Sequence, residues 1–239
     1  YNTHKGGWNE ELTGFVNVPL IDNTLAFRLS GTYKDKSGWI DQPAIGARDI
    51  NHSELSNTMI NGLWQVSDEF TVKGTAIRHR DDFGAPNLVN TTPLKESNFE
   101  RVITPDQPVS DGLNNYDLYN ITATYAFESV TLSSISSVVD KDSEYESSAA
   151  GEYTFGLFES LILSTLNSAK SFTQEIRLNS NVDNSDFEWT AGIFYSDLET
   201  NRTRGEAFAT FGGLGPFAFP PANVDSGSKS MAYYADASY

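Results

Sequence analysis

The links between the strand-like runs of this chain alternate between short and long without exception, and this restricts the fold more than any motif does. Residues 21–23, 67–69, 128–129 and 182–186 are polar turns of five residues or fewer. The alternate links, 34–53, 81–114, 141–169 and 201–227, are long, roughly 15 to 35 residues. A soluble sandwich or a β-solenoid has no cause to sort its connections by parity. An up-and-down barrel across a bilayer does, because alternate connections emerge on opposite sides of the membrane.

The runs between these links have the period of two that a strand with two different faces requires. In residues 24–33, Leu25, Phe27, Leu29, Gly31 and Tyr33 fall on one face and Ala26, Arg28, Ser30 and Thr32 on the other. The hairpin at 170–199 repeats the pattern. Phe172, Ile176 and Leu178 oppose Thr173, Glu175, Arg177 and Asn179, and Phe187, Trp189, Ala191, Ile193 and Tyr195 share a face, with Phe194 the exception. The Ser-rich return strand at 130–140 has no readable facing. The long links contain Gly and Pro breakers and predict irregular loops.

Ten residues of strand tilted by ~45° rise about 24 Å, close to the ~25 Å apolar band of a membrane barrel. The chain has 15 Phe, 11 Tyr and 4 Trp, yet hydrophobic residues make up only 38% of it and the mean hydropathy is −0.39. Its large apolar side chains are therefore spaced out on alternate positions. Aromatic residues near strand ends, among them Phe70, Tyr125, Phe127 and Trp189, suit the interfacial girdles of such a barrel. The fold expected is all-β: an antiparallel up-and-down transmembrane β-barrel of which about nine strands are present.

Several function classes fall away. A net charge of −16 with no basic stretch excludes nucleic acid as a partner. With no cysteine there is neither a disulfide framework nor a thiolate metal site. His4, His52 and His79 lie far apart and in no metal-ligand spacing, and the acidic run Asp140, Asp142, Glu144, Glu146 lacks the glycine-centred loop of an EF-hand. No GxSxG, HExxH or phosphate-cradling glycine loop is present, so neither an enzyme nor a cofactor is expected.

Phe15-Val16-Asn17-Val18-Pro19-Leu20, then residues 25–31 and Gly38-Trp39-Ile40-Asp41, resemble the early barrel strands of TonB-dependent outer-membrane receptors. Thr173-Gln174-Glu175-Ile176-Arg177-Leu178, with residues 189–195, resembles a later hairpin of the same family. The resemblance implies a bacterial outer-membrane location and active uptake of a scarce, large nutrient such as a ferric siderophore. It also implies drive from TonB through a plug domain and a barrel of about 22 strands. On that reading residues 1–239 are one part of the barrel domain, with the plug and the remaining strands outside the sequence. A passive channel or porin, and a secreted or surface all-β binding or adhesin domain, stand as alternatives.

Candidate site residues follow from position. Arg78, His79 and Arg80 lie where a strand leaves the membrane, placed to capture an anionic chelate or the lipopolysaccharide of the outer leaflet; the bland alternative is charge gathering at the water line. Phe155 and Phe158 in the third long link, and Phe211 and Phe217 in the fourth, are candidate ligand contacts or loops packed on one another. Arg28, Glu175 and Arg177 face the lumen, where they contact a plug or pair with neighbouring groups.

Overall fold

The computed structural model describes residues 6–85, 111–150, 160–181, 187–205 and 207–239. Strands β1 (Asn9–Ile21), β2 (Leu25–Lys36), β3 (Ser53–Gln65), β4 (Phe70–Phe83), β5 (Gly112–Ala126), β6 (Val130–Ala150), β7 (Ser160–Ser180) and β8 (Glu188–Arg204) each pair antiparallel with the next in order. Strands β9 (Ala207–Phe211) and β10 (Leu214–Phe219) form a hairpin attached to the outer end of β7. Strand β11 (Ala222–Ser238) then returns to pair with β8. The outer edges of β1 and β11 are not joined, so the sheet is an open meander.

Register fixes the two faces. One hydrogen-bonded row runs Val16, Leu29, Ile60, Ala76, Tyr119, Val138, Phe172, Asp197, Lys229, one residue from each long strand. All nine share a face, and this is the face on which the large apolar side chains stand exposed: Phe27, Leu29, Ile60, Trp64, Tyr119, Ile121, Ile176, Ile193 and Tyr233 among them. The same pairing assigns the facing of the Ser-rich strand β6, with Leu132 and Val138 outward and Ile135 and Val139 inward.

The row also changes character along its length, from Val16 and Leu29 at one end to Asp197 and Lys229 at the other. A row perpendicular to tilted strands climbs through a horizontal apolar slab and out of it, which is the geometry of a barrel whose strands lean ~35–45°. On β8 and β11 the apolar residues sit correspondingly further toward the short-turn end, at Trp189, Ile193, Met231 and Tyr233.

The opposite face is polar and bonds to itself across strands. Thr75 Oγ1 donates to Asn61 at 2.9 Å, Asn120 Nδ2 to Ser137 Oγ at 2.8 Å, and Thr190 Oγ1 to Asn179 Oδ1 at 2.7 Å. At the short-turn end, Asn23 takes the left-handed backbone (φ 55°) that Asn tolerates in turns, and Asn181 ties β6 to the β5–β6 turn through Thr131 and the carbonyl of Phe127.

Three of the long links depart from the irregular loops expected. Residues 37–52 pack with Ala85, just beyond β4, in a small core of Ile40, Ile50 and Ala85, beside the 3₁₀ turn Pro43–Ile45. Asn51 Oδ1 accepts the backbone N–H groups of Trp39 (2.7 Å) and Ile40 (2.8 Å). A Cβ on Gly38 would lie 2.1 Å from the Asp49 carbonyl oxygen, so only glycine fits that crossing. The breakers of this link are thus the means of folding it tightly. In the second case, residues 141–150 and 160–169 continue β6 and β7 in register to Ala150 and Ser160. Each arm is 21 residues long and rises about 50 Å when tilted, well beyond the ~25 Å band. In the third, residues 201–227 are taken up largely by β8, the β9–β10 hairpin and β11.

Two outcomes check this account. A tag inserted after Gly46 should be labelled on intact cells and one after Asn23 should not. Phe27→Arg should reduce the folded, heat-modifiable species, at a cost of about 2–4 kcal/mol, while Ser30→Arg on the opposite face leaves it nearly unchanged.

Candidate ligand and lumen surfaces

The register separates the three residues of the basic run at the outer end of β4. Arg78 and Arg80 project from the outward face and clamp Asp117 on β5: Arg78 Nε donates to it at 3.1 Å and Arg80 Nη2 at 2.9 Å. Arg80 Nη1 also donates to the carbonyls of His79 (2.7 Å) and Tyr116 (3.1 Å), which fixes it against the wall. His79 faces the other way, stacked on Tyr116 at 4.7 Å with Nδ1 3.4 Å from Asn57 Oδ1. The pair of arginines belongs to the outer rim and the histidine to the lumen.

Arg28, Glu175 and Arg177 all lie on the lumen face, in separate settings. Arg28 Nε donates to Asn17 Oδ1 at 2.7 Å, and its guanidinium stands 5.1 Å above the Phe15 ring. Arg177 Nη1 lies 3.8 Å from Glu175 Oε1 on its own strand, while its Nε is buried with no hydrogen-bond partner among the described residues. Glu175 also accepts a 2.5 Å bond from the hydroxyl of Tyr234, which reaches it from β11 across the intervening strand β8. The ring passes over Gly192, where a Cβ would stand 2.4 Å from Tyr234 Cζ. Glycine at 192 is therefore the gap through which a single tyrosine bridges three strands.

Among the candidate aromatics, Phe211 and Phe217 pack edge to face at 5.5 Å within the β9–β10 hairpin. Phe155 and Phe158 lie outside the described residues.

The charges sort by face, a property that no local motif displays. Outward positions of the long strands carry Glu10, Asp35, Glu54, Asp82, Asp117, Asp140, Asp142, Glu144, Glu146, Asp197, Glu199 and Asp225, against Arg78, Arg80, Lys170 and Lys229. Each of those outward cations is held by an aspartate: Arg78 and Arg80 by Asp117, Lys170 by Asp140, Lys229 by Asp197. Burial, then the nearby carboxylates Asp111 and Glu144, push the pKa of Glu146 up, as crowding of like charge on this outer wall requires. The lumen face has the reverse balance. It carries Arg28, Lys34, Lys36, Lys73, Lys141, Arg177, Arg202 and Arg204, against Glu11, Asp81, Glu175, Glu188 and Asp236. Lys141, Arg202 and Arg204 are exposed and make no ion pair among the described residues. Sequence reasoning passed over them because 141–169 and 201–227 read as loops; once those segments are strands, alternation places all three on one face.

The Tyr234 bridge generates a testable coupling. Gly192→Ala should cost about 2 kcal/mol by displacing a hydrogen bond to a charged acceptor, and in a Tyr234→Ala background the same change should cost close to nothing. Urea unfolding of the four proteins in micelles measures the coupling, and additive costs would mean that the bridge is not made.

No protein-family model matches the chain, and no curated protein matches it. Solved structures do. The chain is similar to the ferric citrate transporter FecA in its unliganded form, with a TM-score of 0.70 and 12% identity, over 96% of this chain and 32% of that one. It is similar to the siderophore receptor PiuA from Acinetobacter baumannii, with a TM-score of 0.67 and 12% identity, over 97% of this chain and 38% of that one. It is also similar to the ferric yersiniabactin uptake receptor FyuA from Yersinia pestis, with a TM-score of 0.62 and 12% identity, over 95% of this chain and 40% of that one. The chain thus spans about a third to two fifths of the length of the structures it matches. At this identity the likeness is one of fold, and the fold is that of a section of the β-barrel of TonB-dependent receptors.

Proposed function

We propose that this chain is part of the barrel of an outer-membrane active-transport receptor that takes up a scarce, large nutrient, a ferric siderophore being the leading candidate. The observation that carries the reading is the two-faced sheet: one face a continuous apolar belt edged by ion pairs, the other a polar lining, with the long connections all at one end. Iron-chelate cargo is suggested by the fold neighbours, which are named for ferric citrate, ferric yersiniabactin and siderophore.

On this reading the belt faces outer-membrane lipid, and the rim of Arg78, Arg80, Lys170 and Lys229 meets the headgroups of lipopolysaccharide. The free edges of β1 and β11 pair with further strands of a longer chain, because unpaired backbone groups in hydrocarbon cost several kcal/mol each. A plug fills the lumen and takes its drive from TonB, and Arg28, Glu175 and Arg177 stand on the lining that it meets. The protein binds and moves its ligand and performs no catalysis.

Energy dependence is the test. Cells producing the full-length protein should bind at least one of a panel of ferric chelates and accumulate it, and collapsing the proton-motive force should stop accumulation while binding persists. Accumulation that continues unchanged after collapse would identify a passive channel instead.

A further inference from the structure

Three of the lumen-face cations that make no ion pair among the described residues occupy one place, with Lys36 on β2 and Lys73 on β4 apart from them. Lys141 lies on β6, and Arg202 and Arg204 lie on β8, all toward the long-connection end. Strand β7 runs between them, and its inward residues there, Thr165, Asn167 and Ala169, are short. Arg202 and Arg204 are two residues apart on one face, about 7 Å, and Lys141, in register with Thr200, lies two strand spacings across the trough and two residues along it from Arg202, about 12 Å away. Across β5–β8 at this end, no inward position among the described residues is a carboxylate. In a chain of net charge −16, three exposed cations with no ion-pair partner among the described residues, around a shallow floor, run against the average of the molecule.

The contrast with the outer wall is what gives the trough a meaning. There every cation is paired with an aspartate on the adjoining strand, Arg78 and Arg80 sharing Asp117, whereas here the fold supplies no such partner among the described residues. The neighbouring lumen surface is aromatic: His79 stacks on Tyr116, which is directly opposite Lys141, and Phe83 stacks on Tyr145 at 6.4 Å. A flat, anion-attracting trough with an aromatic border suits a compact polyanion whose oxygens span several ångströms.

We infer that Lys141, Arg202 and Arg204 form an anion-recognition site at the outer lumen, and that the ligand of this receptor is a multiply charged anionic metal chelate bearing carboxylate-type oxygens. The inference deepens the uptake reading and rests on it. Guanidinium groups suit carboxylates because they donate in a fixed fork, and Lys141 adds a point charge on the far side. The acidic outer wall repels the same ligand, so approach is favoured only through the mouth of the barrel.

These 239 residues contain no cysteine, so once any cysteine elsewhere in the full-length protein is replaced, single nitroxide labels report cleanly. In the full-length protein in lipid bilayers, labels go at Ala169 in the trough and at Ser168, one residue away on the acidic wall opposite Asp142. Relaxation by chromium(III) tris-oxalate, a trianionic metal chelate, is compared with relaxation by neutral nickel ethylenediaminediacetate. The chromium-to-nickel ratio should be greater at residue 169 than at residue 168, by on the order of tenfold at low salt, and should shrink as salt screens the site. Lys141→Glu/Arg202→Glu/Arg204→Glu should remove the enrichment, and Lys141→Arg/Arg202→Lys/Arg204→Lys should keep it. Equal ratios at the two labels, or enrichment that survives charge reversal, would overturn the inference. A third label at Ile176 separates the two levels. Strong relaxation by oxygen and weak relaxation by nickel there confirm the membrane barrel in each variant, and a water-exposed Ile176 would overturn the receptor reading and this inference with it.

Discussion

Hydrogen-bond closure of the backbone governs this molecule. In hydrocarbon an amide group has no water to fall back on, so each strand needs neighbours that satisfy it along its whole membrane-spanning length. The continuous antiparallel pairing from β1 through β8 to β11 does this, and it also fixes the position of every side chain. Once Val16 is opposite Leu29 and Leu29 opposite Ile60, a one-residue slip would turn the apolar belt into the lumen, so register and solvent preference enforce each other. The buried core that organises a soluble protein is almost absent among the described residues, and the small cluster of Ile40, Ile50 and Ala85 lies in a connection beyond the strands.

The same constraint explains what the sequence disclosed. Where one face meets lipid and the other water, as in β2 and in the β7–β8 hairpin, alternation is plain and facing can be assigned residue by residue. Where β6 and β7 rise beyond the membrane, both faces meet water. Ser, Asp, Glu, Thr and Asn then serve equally on either side, and the period of two disappears from the composition although the ladder continues. The link at 37–52 was opaque for another reason: its order depends on Gly38 admitting a close backbone crossing and on Asn51 bonding two distant amides, and neither leaves a periodic trace. Of the basic run, sequence located Arg78, His79 and Arg80 at the outer rim, but only register shows that the histidine turns inward. The bridge from Tyr234 over Gly192 to Glu175 joins residues 59 positions apart and had no local signal.

Segregation of charge connects this architecture to its proposed work. The outward face pairs its cations with aspartates, Arg78 and Arg80 sharing Asp117, and so edges the apolar belt with ion pairs. The lumen keeps cations that the fold does not neutralise. A sheet can hold such opposed surfaces on its two sides because successive side chains along a strand point to opposite faces.

The central claim is that one face of a tilted sheet meets lipid, and the row from Val16 to Lys229 is where it is most exposed to test. Single cysteines placed in turn at Val16, Leu29, Ile60, Tyr119, Phe172, Asp197 and Lys229 of the full-length protein in bilayers would carry a bimane label, to be quenched by nitroxide-bearing lipid. Tilted strands crossing a bilayer require strong quenching from Val16 to Ile60 that declines along the row and is lost at Lys229, with water-borne iodide quenching rising in the opposite order. Uniform quenching by iodide along the whole row, with none from lipid, would contradict the account.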